Sequence, residues 1–247
     1  MTKGLRLLLL MAALLVPAGA ARAQALIADL SDHLIAINTG FTGTQVVLFG
    51  STDGPGDVAV VVQGPEGEVR VRKQDRIAGI WMNADSVLFR RVPSFYDVAT
   101  SRPLEELVSP AVLARHEVGL DHLRVVLADY AGPEKEQEFR AALIRSKQRQ
   151  GLYGTATGEV AFLGQRLFRT TILFPANVPT GLYTVSVFLI RNGDVVSAQT
   201  TPLAVSKVGF SADLFDFAQR RAVLYALASL ALAVGAGWLG SALFRRS

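Results

Sequence analysis

The sequence predicts a mainly β protein, an immunoglobulin-like β-sandwich with a helical insertion and one C-terminal transmembrane helix. Three observations predict it. Short β-branched runs punctuated by Gly, Pro, Asp and Asn lie on both sides of a helix-like middle. Residues 222–244 hold no ionisable side chain except the Tyr225 phenol. The first 23 residues have the order of an export signal.

That signal opens with Lys3 and Arg6, continues through an uncharged apolar run from Leu7 to Val16, and ends in Ala21-Arg22-Ala23. The run is too short to cross about 30 Å of hydrocarbon, so cleavage after Ala23 is expected. From residue 24 to 208 the chain reads as one periplasmic sandwich domain. Leu34–Ile37 and Thr44–Phe49 are expected strands, and Val58–Val62 is a β-branched run suited to burial on both faces. Turns are expected at Asp53–Gly56 and Gly64–Gly67, the first as a hairpin loop within Gly50–Gly56. Val69–Arg72 alternates apolar with charged residues, so one of its faces should be wet, and Ile77–Met82 and Ser86–Val92 continue the strand pattern.

The middle, around 104–150, changes period. Leu104–Leu107 and Pro110–His116 read as short helices that start near prolines. Pro133–Gln150 is a longer one, with Glu134, Glu136 and Glu138 at its start, Arg145, Lys147 and Arg149 at its end, and Gly151 as the stop. Phe139, Ala142, Leu143 and Ser146 share one face that can lie on a sheet. Strands resume at Gly158. Leu182–Ile190 alternates clearly, and Asn192-Gly193 supplies the residues that a two-residue hairpin turn requires. Pro179 through Tyr183 into this hairpin has the pattern of the last strands of an immunoglobulin-like sandwich.

Phe210, Leu214 and Phe217 recur at helical spacing within 209–221, a juxtamembrane amphipathic segment. Residues 222–244 follow as the membrane span, bracketed by Arg220-Arg221 and Arg245-Arg246. Equal positive flanks do not orient it, so the signal does: the domain is exported to the periplasm and residues 245–247 stay cytoplasmic. Ala222, Ala226, Ser229, Ala233, Gly237 and Gly240 line one face, which permits helix-mediated self-association.

Charge and cysteine narrow the function classes. The pI near 9.6 is carried by the ends. Without the seven basic residues of the signal and the anchor flanks, 18 Lys and Arg face 21 Asp and Glu, which leaves the exported part of the chain, juxtamembrane segment included, at about −3. No nucleic-acid partner is expected, because neutralising phosphates needs a basic surface. With no cysteine, the chain has no disulfide, thiol nucleophile or cysteine-based metal site of its own.

No catalytic, cofactor-binding or metal-ligating residue is assigned from the residues themselves. The imidazoles are His33, His116 and His122. His116, Glu117 and His122, with Asp121 and Asp129 nearby, form an imaginable metal set or scattered enzyme site, but their spacing matches no helical zinc motif. Ser31-Asp32-His33 is adjacent in sequence only, and no nucleophile-elbow sequence occurs. Gly50–Gly56 lacks a phosphate-loop ending, and Asp53 and Asp57 do not follow calcium-loop order. Arg70, Arg72, Lys73 and Arg76 precede Trp81 and could meet anionic lipid or an acidic partner; alternation also explains them as a solvated strand face.

Several stretches together carry a resemblance: FTGTQVVLFG (41–50), VVVQGPEG (60–67), AGIWMN (78–83), SFYDVATSRPL (94–104), GLDHLR (119–124), ALIRSKQRQGLY (142–153) and FPANVPTGLYTVSVFLIRNG (174–193). They resemble the putative alphaproteobacterial transmembrane protein family over nearly the whole mature chain. The resemblance implies a bacterial inner-membrane protein with no assigned activity and no catalytic residues to carry over, and a partner such as a permease of the sulfite exporter type. The leading expectation is therefore a membrane-tethered interaction module, with a periplasmic enzyme and a small-anion-binding domain as alternatives.

Overall fold

The computed structural model describes residues 25–77, 80–128, 132–209 and 222–244; for 74, 75, 77, 80–84 and part of the last helix it describes the backbone alone. The expected signal, the juxtamembrane segment from 210 and the tail 245–247 lie outside the described residues.

Two sheets face each other over one core. The first is four-stranded, in the order β1 (Leu26–Leu30), β3 (Gly43–Thr52), β11 (Leu167–Pro175), β10 (Ala161–Leu163), all antiparallel. The second is six-stranded, in the order β2 (Leu34–Ile37), β13 (Asp194–Lys207), β12 (Gly181–Arg191), β4 (Asp57–Gln63), β7 (Tyr96–Thr100), β9 (Gly158–Glu159). Within it β2 runs parallel to β13, and β12 runs antiparallel to both β13 and β4. Leu26, Leu48, Phe168 and Ile172 from the first sheet and Val60, Val185, Val187 and Leu203 from the second share one buried cluster. Alternation produces this layering: β11 reads exposed-buried through eight residues, as a half-wet strand must.

An aromatic trio closes one end of the core. Phe95 stacks on Phe174 at 5.1 Å between centroids, and Tyr183 packs against both at 5.9 and 5.8 Å. The Tyr183 hydroxyl donates to the Pro179 carbonyl at 2.6 Å, tying the start of β12 to the loop before it. The β12–β13 hairpin turns at Asn192-Gly193 with φ of 53° and 78°, as a type I′ turn demands.

The expected helices are present: α1 (Leu104–Leu107), α2 (Pro110–His116) and α3 (Pro133–Arg149). Leu107 and Leu113 cover the outer side of β4 and β12, where Ala59, Phe188 and Ile190 are also buried. Val58–Val62 is thus buried on both faces, as its composition requires.

Three expectations are corrected. Asp53–Gly56 is not a hairpin loop: β3 belongs to one sheet and β4 to the other, so the segment crosses between sheets, held by an Arg191–Asp53 ion pair and a bond from Arg191 Nε to the Pro55 carbonyl at 2.9 Å. Ile77–Met82 is not one strand: β5 (Glu66–Ile77) and β6 (Ile80–Pro93) are antiparallel partners with Ile77 opposite Ile80, so the chain reverses there. Nor is the insertion helical alone. β5 and β6 join neither sandwich sheet; with β8 (Val126–Leu127) they form a third sheet, against which α3 lays Phe139 and Leu143 over Val87, Phe89 and Val92.

The last helix, α4 (Ala222–Phe244), is 23 residues long and contains no Asp, Glu, Lys or Arg. Among the described residues no helix is long and apolar enough to cross a membrane. The side chains of Ala222, Leu224, Ala228, Leu232 and 239–244 lie outside the described residues.

Candidate functional site

A hollow of about 320 Å³ opens where the insertion meets β7. Its walls come from Tyr96, Asp97 and Val98 of β7, from Leu104 and Glu105 of α1, from a short 3₁₀ turn at Leu120–His122, and from the loop Gly154–Thr157. The size is at the lower edge of small-ligand sites.

Each wall is held by its own hydrogen bonds. The Tyr96 hydroxyl donates to the Glu117 carbonyl at 2.6 Å and accepts from the Gly119 amide at 2.8 Å, which fixes the corner before the 3₁₀ turn. Glu117 ends α2 in the left-handed region, φ 54°, with its amide bonded to the Leu113 carbonyl. Arg140, reaching from α3, donates to the carbonyls of Leu120, Asp121 and Leu123 at 3.3, 2.8 and 2.8 Å. The loop closes on β7 because residue 154 is glycine. Its amide bonds the Tyr96 carbonyl at 2.9 Å, and a Cβ there would lie 2.5 Å from Asp97 Oδ1.

Asp97 is the chemically unusual group. Burial pushes its carboxyl up to about 6, against a single opposing bond from the Val98 amide at 3.0 Å. Glu105 and Asp121 sit exposed at the rim, so the hollow is acid-lined, with His122 as its sole imidazole. Burial holds the Tyr96 and Tyr153 phenols far above their ordinary range and lifts Tyr183 to about 12, so these hydroxyls act as hydrogen-bonding groups and not as bases.

The structure brings two of the sequence-derived candidates together and parts them from the rest. Asp121 and His122 line the hollow. His116 does not: its ring packs on Phe188 at 5.1 Å between centroids, against the sandwich. The Glu117 carboxylate is 3.8 Å from Arg124, and Asp129 lies outside the described residues. Among the described residues no group of three potential ligands could hold a metal ion. His33 pairs with Asp29 at 2.9 Å, while Ser31 Oγ bonds Asp32 at 2.9 Å and accepts from the Val47 amide, so these neighbours form no nucleophile–base pair. Sequence reasoning missed Asp97 and Glu105. The available signal was an acid set between the apolar residues of a strand, Tyr96-Asp97-Val98.

The hollow can exchange a proton near neutral pH and can attract a cationic group, but among the described residues it contains no activated nucleophile. No curated protein matches the chain. A family model described as "Putative transmembrane protein" matches residues 25–246, taking in both sandwich sheets, the insertion and α4. By that match the chain belongs to the Alph_Pro_TM family.

Proposed function

We propose that this chain is an immunoglobulin-like interaction module, held at the bacterial inner membrane by α4 with its sandwich in the periplasm, that contacts another membrane protein. The observation that carries the proposal is the surface of α4. Val223, Leu227, Leu230, Val234 and Trp238 are 58–74 % exposed, so a helix apolar on all sides buries none of these side chains within its own chain. Its 23 residues reach about 34 Å, enough for a hydrocarbon core of about 30 Å. Family membership supports the same reading, and the matched region opens just past the expected signal cleavage at Ala23.

Strand pairing supports the immunoglobulin-like reading. The order β1-β3-β11-β10 against β2-β13-β12-β4-β7 follows the two sheets of that fold, with a first strand divided between them. The Tyr183–Pro179 bond matches its tyrosine corner. Such folds mostly present surfaces for binding, and a transporter such as a permease of the sulfite exporter type is the partner that the family resemblance implies.

In vivo photocrosslinking from exposed sandwich positions, read by mass spectrometry, tests the proposal. Recurrent capture of one integral membrane protein is expected; crosslinks scattered over unrelated soluble proteins would contradict it. A second reading, small-ligand binding, is favoured by the acid-lined hollow beside Asp97. The sign of its charge points to a cationic ligand, against the oxyanion that the sequence alone left open.

A further inference from the structure

The two sheets of the sandwich differ in what lies on their outer faces. α1 and α2 lie on the outer side of the second sheet, and the arm formed by β5 and β6 carries α3. The outer face of the first sheet is open. Ile27, Val47, Phe49, Leu163, Leu167 and Leu173 are 37–61 % exposed on it, six large apolar side chains on one surface.

Register arranges this face in rows. One row across the sheet is Ile27, Ser51, Leu167 and Leu163, and the next is Asp29, Phe49, Arg169 and Ala161. Phe49 of β3 therefore stands between an acid on β1 and a base on β11. Asp29 holds His33 at 2.9 Å through Oδ1, whereas Arg169 is exposed and makes no ion pair among the described residues. The edges offer less. Gln199 of β13 donates to the Ala28 carbonyl at 2.7 Å and accepts from the Ala28 amide at 2.9 Å, which occupies the free side of β1, and β10 at the other edge is three residues long.

The direction of β3 ties the face to α4. β2 pairs in parallel with β13, with Ile37 opposite Lys207, where the chain departs toward α4. After five residues β3 begins at Gly43, so it starts at that end of the sandwich and runs away from it.

A twofold axis laid along β3 between two such faces sets β1 of each copy over β11 of the other. Phe49 then meets Phe49 and Val47 meets Val47, while Ile27 meets Leu167 and Asp29 meets Arg169. Both copies leave toward α4 at one end, as two anchors in one bilayer require. A twofold across the strands fails on both counts: Asp29 would face Asp29, and the anchors would point opposite ways. Exposed ion pairs add little energy, so the apolar rows supply the attraction and the charges select the arrangement. The face covers on the order of 500 Å², near the lower limit for a specific contact, and confinement to one membrane raises the effective concentration of the second copy. We infer that the outer face of the first sheet docks a second copy of this chain, in a parallel twofold pair with Phe49 at its centre. This inference rests on the reading of α4 as the anchor.

The chain has no cysteine, so single cysteines report on the pair. Phe49→Cys lies at the proposed axis, and Thr184→Cys, exposed on the second sheet, lies away from it. Membranes holding each full-length variant are treated with a bis-maleimide long enough to span the ~10 Å between packed sheets, and denaturing gels are read for a species of twice the monomer mass. Most of Phe49→Cys is expected in that species and little of Thr184→Cys. Added to Phe49→Cys, Asp29→Arg should remove most of it, and Arg169→Asp added to both should restore it. No dimer from Phe49→Cys in a chain that resists carbonate extraction overturns the pairing, leaves the anchor standing and gives the face to a different protein. Equal dimer from both cysteines, or a charge swap that restores nothing, overturns the twofold pair as well. Dimer from Phe49→Cys in a chain that carbonate washes from the membrane upholds the pairing and overturns the anchor.

Discussion

Asp97 carries a cost that the fold has not removed. A free aspartate releases its proton near 3.8, whereas Asp97 in the folded chain holds it to about 6 because its carboxyl is buried. Between those values the folded state binds the extra proton, so stability falls as pH rises through the window, and the full cost stands above it. Asp97→Asn should therefore stabilise the protein at pH 7 on the order of 2 kcal/mol and leave it unchanged near pH 3. Urea denaturation at the two pH values checks this, and an equal effect at both would contradict it. The one sequence signal, an acid between Tyr96 and Val98, does not distinguish a buried carboxyl from a wet one. An acid at a strand position is usually placed on the wet face, and only the approach of the Gly154 loop, permitted by a missing Cβ, takes this one out of water. His116 errs the other way: its neighbours in sequence include Glu117 and His122, yet α2 turns its ring onto Phe188.

Among the elements, those whose signal is local were legible. The Val58–Val62 run, the Pro133–Gln150 charge gradient and Asn192-Gly193 each encode their element within a few residues, and the structure has all three. The arm was not legible as an arm, because strand alternation reads the same whether a strand joins the sandwich or pairs outside it. Partner choice is set by contacts distant in sequence, here Phe139 and Leu143 of α3 on Val87 and Phe89. That cluster, and not the ion pairs beside it, should hold the arm. Phe139 is 2 % exposed, and Phe139→Ala should cost about 3–5 kcal/mol. Glu138→Gln breaks a half-exposed pair with Lys73 and should cost less than about 1 kcal/mol. Hydrogen exchange resolves the two: Phe139→Ala is expected to expose the amides of β5 and β6 while those of β12 stay protected, and the reverse ranking of the two variants would contradict the assignment.

For the whole molecule, the mainly β class was readable from the sequence, but the division into sheets was not. The parallel pairing of β2 with β13 joins residues more than 160 apart, and no local pattern encodes it. The apolar length of 222–244, by contrast, is a property of sequence alone. The central claim is that α4 crosses the membrane with the sandwich on the periplasmic side. Because the chain lacks cysteine, single cysteines report on it cleanly. Gln165→Cys lies on an exposed turn of the sandwich and Ser247→Cys ends the tail. The measurement is labelling of each by a membrane-impermeant maleimide in intact spheroplasts. The account predicts that Gln165→Cys labels at once and Ser247→Cys only after lysis; labelling of both only after lysis would contradict it.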